Sequence, residues 1–340
     1  MIIRKDDLEA AVEHGVVSAQ AATALTEFTL SRSKHPQAVN EHFRLFSNFS
    51  EVFICLGLAI VFSAFKGIFG IFGFEYIVIG AIVYWLSAEF FVAKTTKMAP
   101  ALLSVIFSCY FAVKAFLYFT KISPFGVFEV NETNGVYIFG SITVALAIAF
   151  VRFRIPATLA LILPSVAITG LFLIGTTSLT DPTFLWPIGV SGVLAVLIGV
   201  WFDSKDPLRR SRQNAYAFWL FVIGSPMAVH PLFASIWLNA DMANPTAIIP
   251  IIFVLAIIVT LLGLILDRRS LVASSLVYFT VGLGYASNSI VSDVATTLAI
   301  TSLAVGVFVV VLGVLWYRLR SGLLAILPLG SLASKIPPSK

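Results

Sequence analysis

Ten stretches of roughly 20 mainly apolar residues, separated by short charged or turn-forming segments, dominate this chain of 340 residues. That length is what an α-helix needs to cross a hydrocarbon layer about 30 Å thick. The stretches lie near 50–66, 74–93, 99–118, 134–151, 156–175, 183–202, 214–237, 246–266, 270–287 and 293–317. Soluble domains carry about 25% charged and about 45–50% apolar residues. Here 59% of residues are hydrophobic and 11% charged, with a mean hydropathy of +0.98. The fold class expected is all-α, a polytopic transmembrane helical bundle of about ten spans whose first partner is the lipid bilayer.

An even number of crossings returns the chain to its starting side, and Lys and Arg in short loops indicate which side that is. With the N-terminus inside, nineteen of the 22 Lys and Arg fall in inner segments, Lys66 and Lys121 fall in outer ones, and Lys114 lies within a span. The expectation is a bacterial-type cell inner membrane with both termini cytoplasmic. The net charge of +5 comes from residues scattered singly or in small groups, so no nucleic-acid partner is expected. Cys55 and Cys109 sit inside separate apolar spans and give no reason to expect a disulfide. Residues 1–42 are mixed and polar, unlike a cleavable leader, so the first span is expected to be an uncleaved anchor. At 62–75, Gly67, Gly70 and Gly73 interrupt the apolar run around Lys66, which fits either a tight outer turn or a re-entrant piece.

Residues 1–35 read as a separate cytoplasmic helical hairpin. Asp6 or Asp7 can cap a first helix ending at Gly15, and Ser18 can cap a second helix running to about Arg32. A small cap under the first span is the simplest role; docking of a cytoplasmic protein is the other. Residues 36–49, with Phe43, Phe46 and Phe49 among polar neighbours, read as an interfacial lead-in. The transmembrane bundle occupies 50–317 and a cytoplasmic or interfacial tail 318–340, in which the apolar run Leu323 to Leu332 is too short to cross.

The stretch DLEAAVEHGVVSAQAATALTEF at 7–28 resembles the start of a large group of predicted bacterial polytopic inner-membrane proteins carrying an N-terminal domain of unknown function. RQNAYAFWLFVIGSPMAVHPLF at 212–233, LDRRSLVASSLVY at 266–278 and the closing pattern of Arg318, Arg320, Pro328, Pro337 and Pro338 look like segments of the same proteins. The resemblance implies architecture and a bacterial inner membrane, and no activity. Members often carry His where Phe221 stands, so no role is carried over to that position.

Zinc-binding, nucleotide-binding and metalloprotease signatures are missing, so no cofactor, metal or soluble-type enzyme chemistry is expected. One enzyme-like pattern stands in span six: Gly189-Val190-Ser191-Gly192 resembles the nucleophile segment of rhomboid intramembrane proteases, and Ser191 and His230 lie at similar depths. A serine protease is the remote reading. Helix packing is favoured, because Ser191, Ala195 and Gly199 form a small-residue ladder, as Ala299, Gly306 and Gly313 do in span ten.

Ionisable groups inside a bilayer are more informative. Glu89 and Lys114 lie about one turn inside opposite membrane faces, where both can snorkel, and Lys114 can pair with Glu75. His230 stands between Pro226 and Pro231, where it can satisfy carbonyls freed by the prolines or serve as a ligand group. Pro164 in span five and the two prolines of span seven suggest broken helices flanking a cavity, a pointer to transporter sites. His230, Pro226, Pro164, Glu89 and Lys114 are therefore the candidate binding residues, with no catalytic residue among them. The leading reading is a secondary transporter or permease for a small solute. The alternative is a non-transporting scaffold or accessory subunit that docks a cytoplasmic protein through residues 1–35. A hydrated polar path distinguishes the first from the second.

Overall fold

Every backbone polar group that enters hydrocarbon must be satisfied within the protein, so an apolar chain of this kind has the helix as its natural element. The computed structural model describes residues 11–32, 49–72, 75–95, 97–121, 132–175, 185–209, 211–238, 248–291, 293–328, 330 and 335–338, and no strand occurs among them. The helices are α1 (Ala19–Arg32), α2 (Phe49–Phe72), α3 (Glu75–Phe90), α4 (Met98–Phe119), α5 (Glu132–Phe153) and α6 (Pro156–Leu173). They continue with α7 (Leu185–Lys205), α8 (Arg212–Leu238), α9 (Ile248–Leu266), α10 (Arg269–Ile290) and α11 (Val294–Ile326). Ten of these, α2 to α11, are long and apolar enough to cross a membrane. The protein is an integral membrane protein with an all-α bundle.

Four boundaries differ from the sequence expectation. Residues 62–72 form neither a turn nor a re-entrant piece, because α2 runs unbroken through Gly67 and Gly70 to Phe72. A π-helical turn, Phe91–Thr95, follows α3. Neither proline-bearing helix is broken: α6 continues through Pro164 and α8 through Pro226 and Pro231. A proline removes one donor, and packed neighbours let a membrane helix carry that loss. The last helix does not stop near residue 317 but continues to Ile326.

Of the N-terminal hairpin, the second half is described. Gly15 takes φ +68° after a helical turn at 11–13, and the Ala21 N–H donates to Ser18 Oγ at 3.2 Å, so the expected stop and cap are both formed. The first capping position, at Asp6 or Asp7, and most of the lead-in lie outside the described residues. At α11, Asp293 is the cap, its carboxylate accepting from the Thr296 hydroxyl at 2.6 Å and the Thr296 N–H at 2.8 Å. The Thr296 side chain, then its backbone, hold that carboxyl below the usual carboxylate range.

Sequence neighbours pack as antiparallel hairpins: α3 on α4, α5 on α6, α7 on α8 and α9 on α10. The helix α8 also meets α6 and α10, α2 covers α3 and α4 at one edge, and α11 lies against α9 and α10 at the other. The closest approach is α7 to α8. A Cβ built on Gly192 would stand 2.2 Å from the Ala228 backbone nitrogen, and one on Gly224 would stand 2.6 Å from Ala195 Cβ. On the same face, Gly189 meets Pro231 and Gly199 meets Phe221. The ladder read from the sequence is therefore real in Ala195 and Gly199, with Gly192 rather than Ser191 at the contact. In α11 the similar ladder does not pack: Ala299, Gly306 and Gly313 are exposed, and a Cβ on either glycine meets nothing within 4 Å.

These two glycine environments give opposite expectations. Gly192→Ala forces two backbones apart and should cost about 3 kcal/mol, the upper end of overpacking effects. Gly306→Ala should leave stability unchanged or raise it by up to about 1 kcal/mol through helix propensity. Thermal melting of the purified variants in one detergent checks both; equal losses would mean that α7 and α8 are not in backbone contact.

Candidate functional site

At one end of the bundle the turns between α5 and α6, α7 and α8, and α9 and α10 meet, and the charged groups concentrate there. The origin is the C-terminus of α9, whose last carbonyls have no partner within the helix. The Arg268 N–H donates to Gly263 O at 2.8 Å and the Asp267 N–H to Leu264 O at 3.2 Å, with Asp267 at φ 53°. This is the Schellman arrangement, in which the left-handed position is usually glycine. Aspartate stands there because its side chain is in use: Oδ2 accepts from Arg209 Nη1 and Oδ1 from Trp316 Nε1, both at 2.8 Å.

Three arginines complete the cluster. Arg209 Nη2 donates to Leu266 O at 3.2 Å and to Asp267 O at 2.9 Å. Arg320, from α11, donates through Nε to Leu264 O at 3.0 Å and through its terminal nitrogens to the carbonyls of Pro337 and Pro338. Arg268 pairs side-on with Asp203 in the last turn of α7, with Nε to Oδ2 at 2.8 Å and Nη2 to Oδ1, and reaches Asn214 Oδ1 at 3.1 Å. Its guanidinium lies 5.0 Å from the centre of the Phe221 ring. Arg209, Arg268 and Arg320 are each at most 3% exposed, and Asp203 is 5% exposed. Charges that deep persist only when paired and hydrogen-bonded. Cations at the carbonyl end of α9 also oppose its dipole, while Asp203 at the end of α7 would be unfavourable without Arg268.

The end of α5 is closed in the same manner. Arg154, at φ 54°, presents its carbonyl to Arg212 Nη2 at 2.8 Å and to the Tyr216 hydroxyl at 3.1 Å, which ties α5 to α8. Glu89 of α3, one of the candidate residues, forms a two-pronged pair with Arg152 of α5, Nε to Oε1 and Nη2 to Oε2 both at 2.7 Å.

The remaining candidates do not converge with these groups. His230 Nδ1 lies 2.9 Å from the Tyr278 hydroxyl, which also reaches the His230 carbonyl at 3.3 Å, so the ring joins α8 to α10 instead of capping carbonyls freed by proline. Ser191 Oγ donates to Ile188 O at 2.8 Å within its own helix. The serine–imidazole pair that a protease needs is thus replaced by two other hydrogen bonds. Lys114 is half-buried along α4, and Pro164 stays inside a continuous α6. Apart from this arrangement, a crevice of about 440 Å³ opens between α4 and α5. Neither His230, Pro226, Pro164, Glu89 nor Lys114 lines it. Among the described residues no group of three or more His, Cys, Asp and Glu is placed to hold a metal ion.

No family model, no curated protein and no solved structure matches this chain.

Sequence reasoning missed the arginine cluster because it read Arg209, Arg268 and Arg320 as orientation signals, the last two also as parts of resembling segments, and assigned none of them a partner. A hint stood in Asp203 and Asp267, acidic residues at the ends of apolar runs and next to basic turns. Arg268→Ala should destabilise the protein by about 3 kcal/mol, because it leaves the buried Asp203 carboxylate only Arg209, at 3.9 Å. The double variant Asp203→Ala with Arg268→Ala should cost less than the sum of the two single variants. A double-mutant cycle read by thermal or denaturant unfolding in detergent checks this, and strict additivity would mean the pair carries no coupling.

Proposed function

We propose that the chain is a non-transporting protein of a bacterial-type inner membrane, a scaffold or accessory subunit with both termini in the cytoplasm. The observation that carries this reading is that many polar side chains within the spans bond to a neighbouring helix, although Ser104 Oγ is buried without a partner among the described residues. His230 engages Tyr278; Thr143 meets Thr169 at 3.5 Å, Ser225 meets Ser270 at 3.3 Å, and Thr260 meets Ser275 at 3.4 Å. Tyr84 donates to Leu58 O at 2.7 Å and Ser108 to Ala81 O at 2.9 Å, each on a neighbouring helix. Such bonds hold helices together in hydrocarbon. A transporter needs comparable groups turned toward a shared hydrated path. Residues 1–35 supply the docking element of the proposed subunit, and the inner-membrane assignment rests on the resemblance described from the sequence.

A small-solute transporter is the second reading, favoured by one feature: the His230–Tyr278 pair lies beside two prolines in α8. Water access separates the two. In the scaffold reading, Ser225→Cys, His230→Cys and Tyr278→Cys, each in a chain with Cys55 and Cys109 replaced by Ser, should resist membrane-impermeant maleimides from either side. His230→Ala should also lower the melting temperature through loss of a part-buried hydrogen bond, at about 1 kcal/mol. Labelling at two or more of these positions, with unchanged melting of His230→Ala, would favour transport instead.

The orientation has its own test, motivated by the charge distribution. Reporter fusions after residues 97, 154, 212, 269 and 340 should report cytoplasm, and fusions near 125, 181, 241 and 290 the opposite side. Two neighbouring fusions giving the reverse would overturn the ten-crossing arrangement.

A further inference from the structure

The crevice between α4 and α5 has a floor formed by Trp85 of α3, and its walls include Cys109, Ala112 and Val113 from α4 and Gly140 and Val144 from α5. Its two lining serines do not make it polar: Ser108 donates to Ala81 O at 2.9 Å and Ser141 to Ile138 O at 2.8 Å. The wall residues Phe116, Tyr137, Val144 and Ile148 are exposed at the bundle surface, so the crevice opens sideways, toward lipid. From Trp85 and Ile148 a shallower groove continues past Ala147 and Val151 to Arg152.

Tyr137 and Arg152 are fifteen residues apart on one helix, so the track is about 22 Å long. One leaflet contributes about 15 Å of hydrocarbon. The track can therefore take a full acyl chain. Its polar end carries matching charge. Arg152 turns Nε and Nη2 to Glu89, yet its side chain is still 58% exposed. Arg154 follows two positions along the chain, and the Arg212 guanidinium donates to the Arg154 carbonyl. Arg154 turns Nε to the Val151 carbonyl, and the nearest carboxylates described are Glu89, on Arg152, and Asp206, on Ser211, so three basic residues stand near two acidic ones. We infer that this track binds one anionic glycerophospholipid, its acyl chain lying in the α4–α5 crevice against Trp85 and its phosphate on Arg152. Guanidinium groups bind phosphate oxygens through paired N–H donors, which favours phosphate as the anionic group.

The test uses the full chain in vesicles of phosphatidylcholine containing either brominated phosphatidylglycerol or brominated phosphatidylcholine with identical chains. Bromine quenches nearby indoles, and the signal of Trp85 is obtained as the difference between the wild-type protein and Trp85→Phe. Half-quenching of that signal should need about fivefold less brominated phosphatidylglycerol than brominated phosphatidylcholine, the preference that one basic residue at a membrane surface confers. Ala112→Phe, which fills the crevice, should abolish the preference. Arg152→Gln should reduce it to about one while quenching persists, and Arg152→Lys should keep most of it, which separates charge from folding damage. Inorganic phosphate added to the buffer should not compete. Equal quenching by the two lipids overturns the inference, as does a preference that survives both Ala112→Phe and Arg152→Gln, since general attraction to a basic surface would then account for it.

Discussion

The last carbonyls of α9 have no partners of their own, and at the low dielectric of a membrane protein's interior that constraint organises one end of the molecule. Backbone closure through the N–H groups of Asp267 and Arg268 satisfies Gly263 and Leu264. Arg209 and Arg320 supply further donors, from a turn after α7 and from α11. Each arginine that caps a helix end then needs a counter-charge or another acceptor. Asp267 answers Arg209, and the carbonyls of Pro337 and Pro338 answer Arg320. The Arg268 side chain, which caps nothing, pairs with Asp203 of α7. The helices α7, α8, α9 and α11 are joined at their ends by groups that none of them can do without. Below that layer, α7 and α8 approach closely through Gly192, Ala195, Gly199 and Gly224, so position along the helix axis is set by the charged end and distance by the small residues.

How much of this could be read in the sequence divides along the range of the interactions. Helices reveal themselves locally, by some 20 successive apolar residues, and ten were expected where ten are found. Ser18 and Gly15 reveal a cap and a stop within one turn of chain. Arg268 and Asp203 are 65 residues apart, and Arg209 and Asp267 are 58 apart, so no periodicity links them. An arginine that marks the inner side of a membrane and an arginine that closes a helix end are also the same letter in the same place, beside the end of an apolar run. Counting charges for orientation obscured their second use.

The prolines misled for a related reason. In water a proline within a helix costs about 3 kcal/mol and usually ends it. In a membrane the chain has no other conformation in which its remaining amides are satisfied, so α6 and α8 continue past Pro164, Pro226 and Pro231. His230 then became a cross-link to α10 through Tyr278, a partner 48 positions away. The glycines at 62–72 follow the same logic, because backbone freedom that would make a turn in water is overruled inside hydrocarbon.

The spans are also unequal in length. Pro156–Leu173 has 18 residues and Val294–Ile326 has 33, or about 27 Å against about 50 Å at the rise of an α-helix. A single flat bilayer about 30 Å thick cannot match both. Tilt absorbs part of the excess in α11, but Arg320 holds its far end against α9 and Asp293 fixes where it begins. The rest includes the helix beyond Arg320, about 9 Å to Ile326, which runs past the end of α9 instead of crossing beside it. The chain then doubles back, because Pro337 and Pro338 lie against Arg320. The end of α11 is thus a stalk with its own return strap, fastened at the residue where the stalk begins.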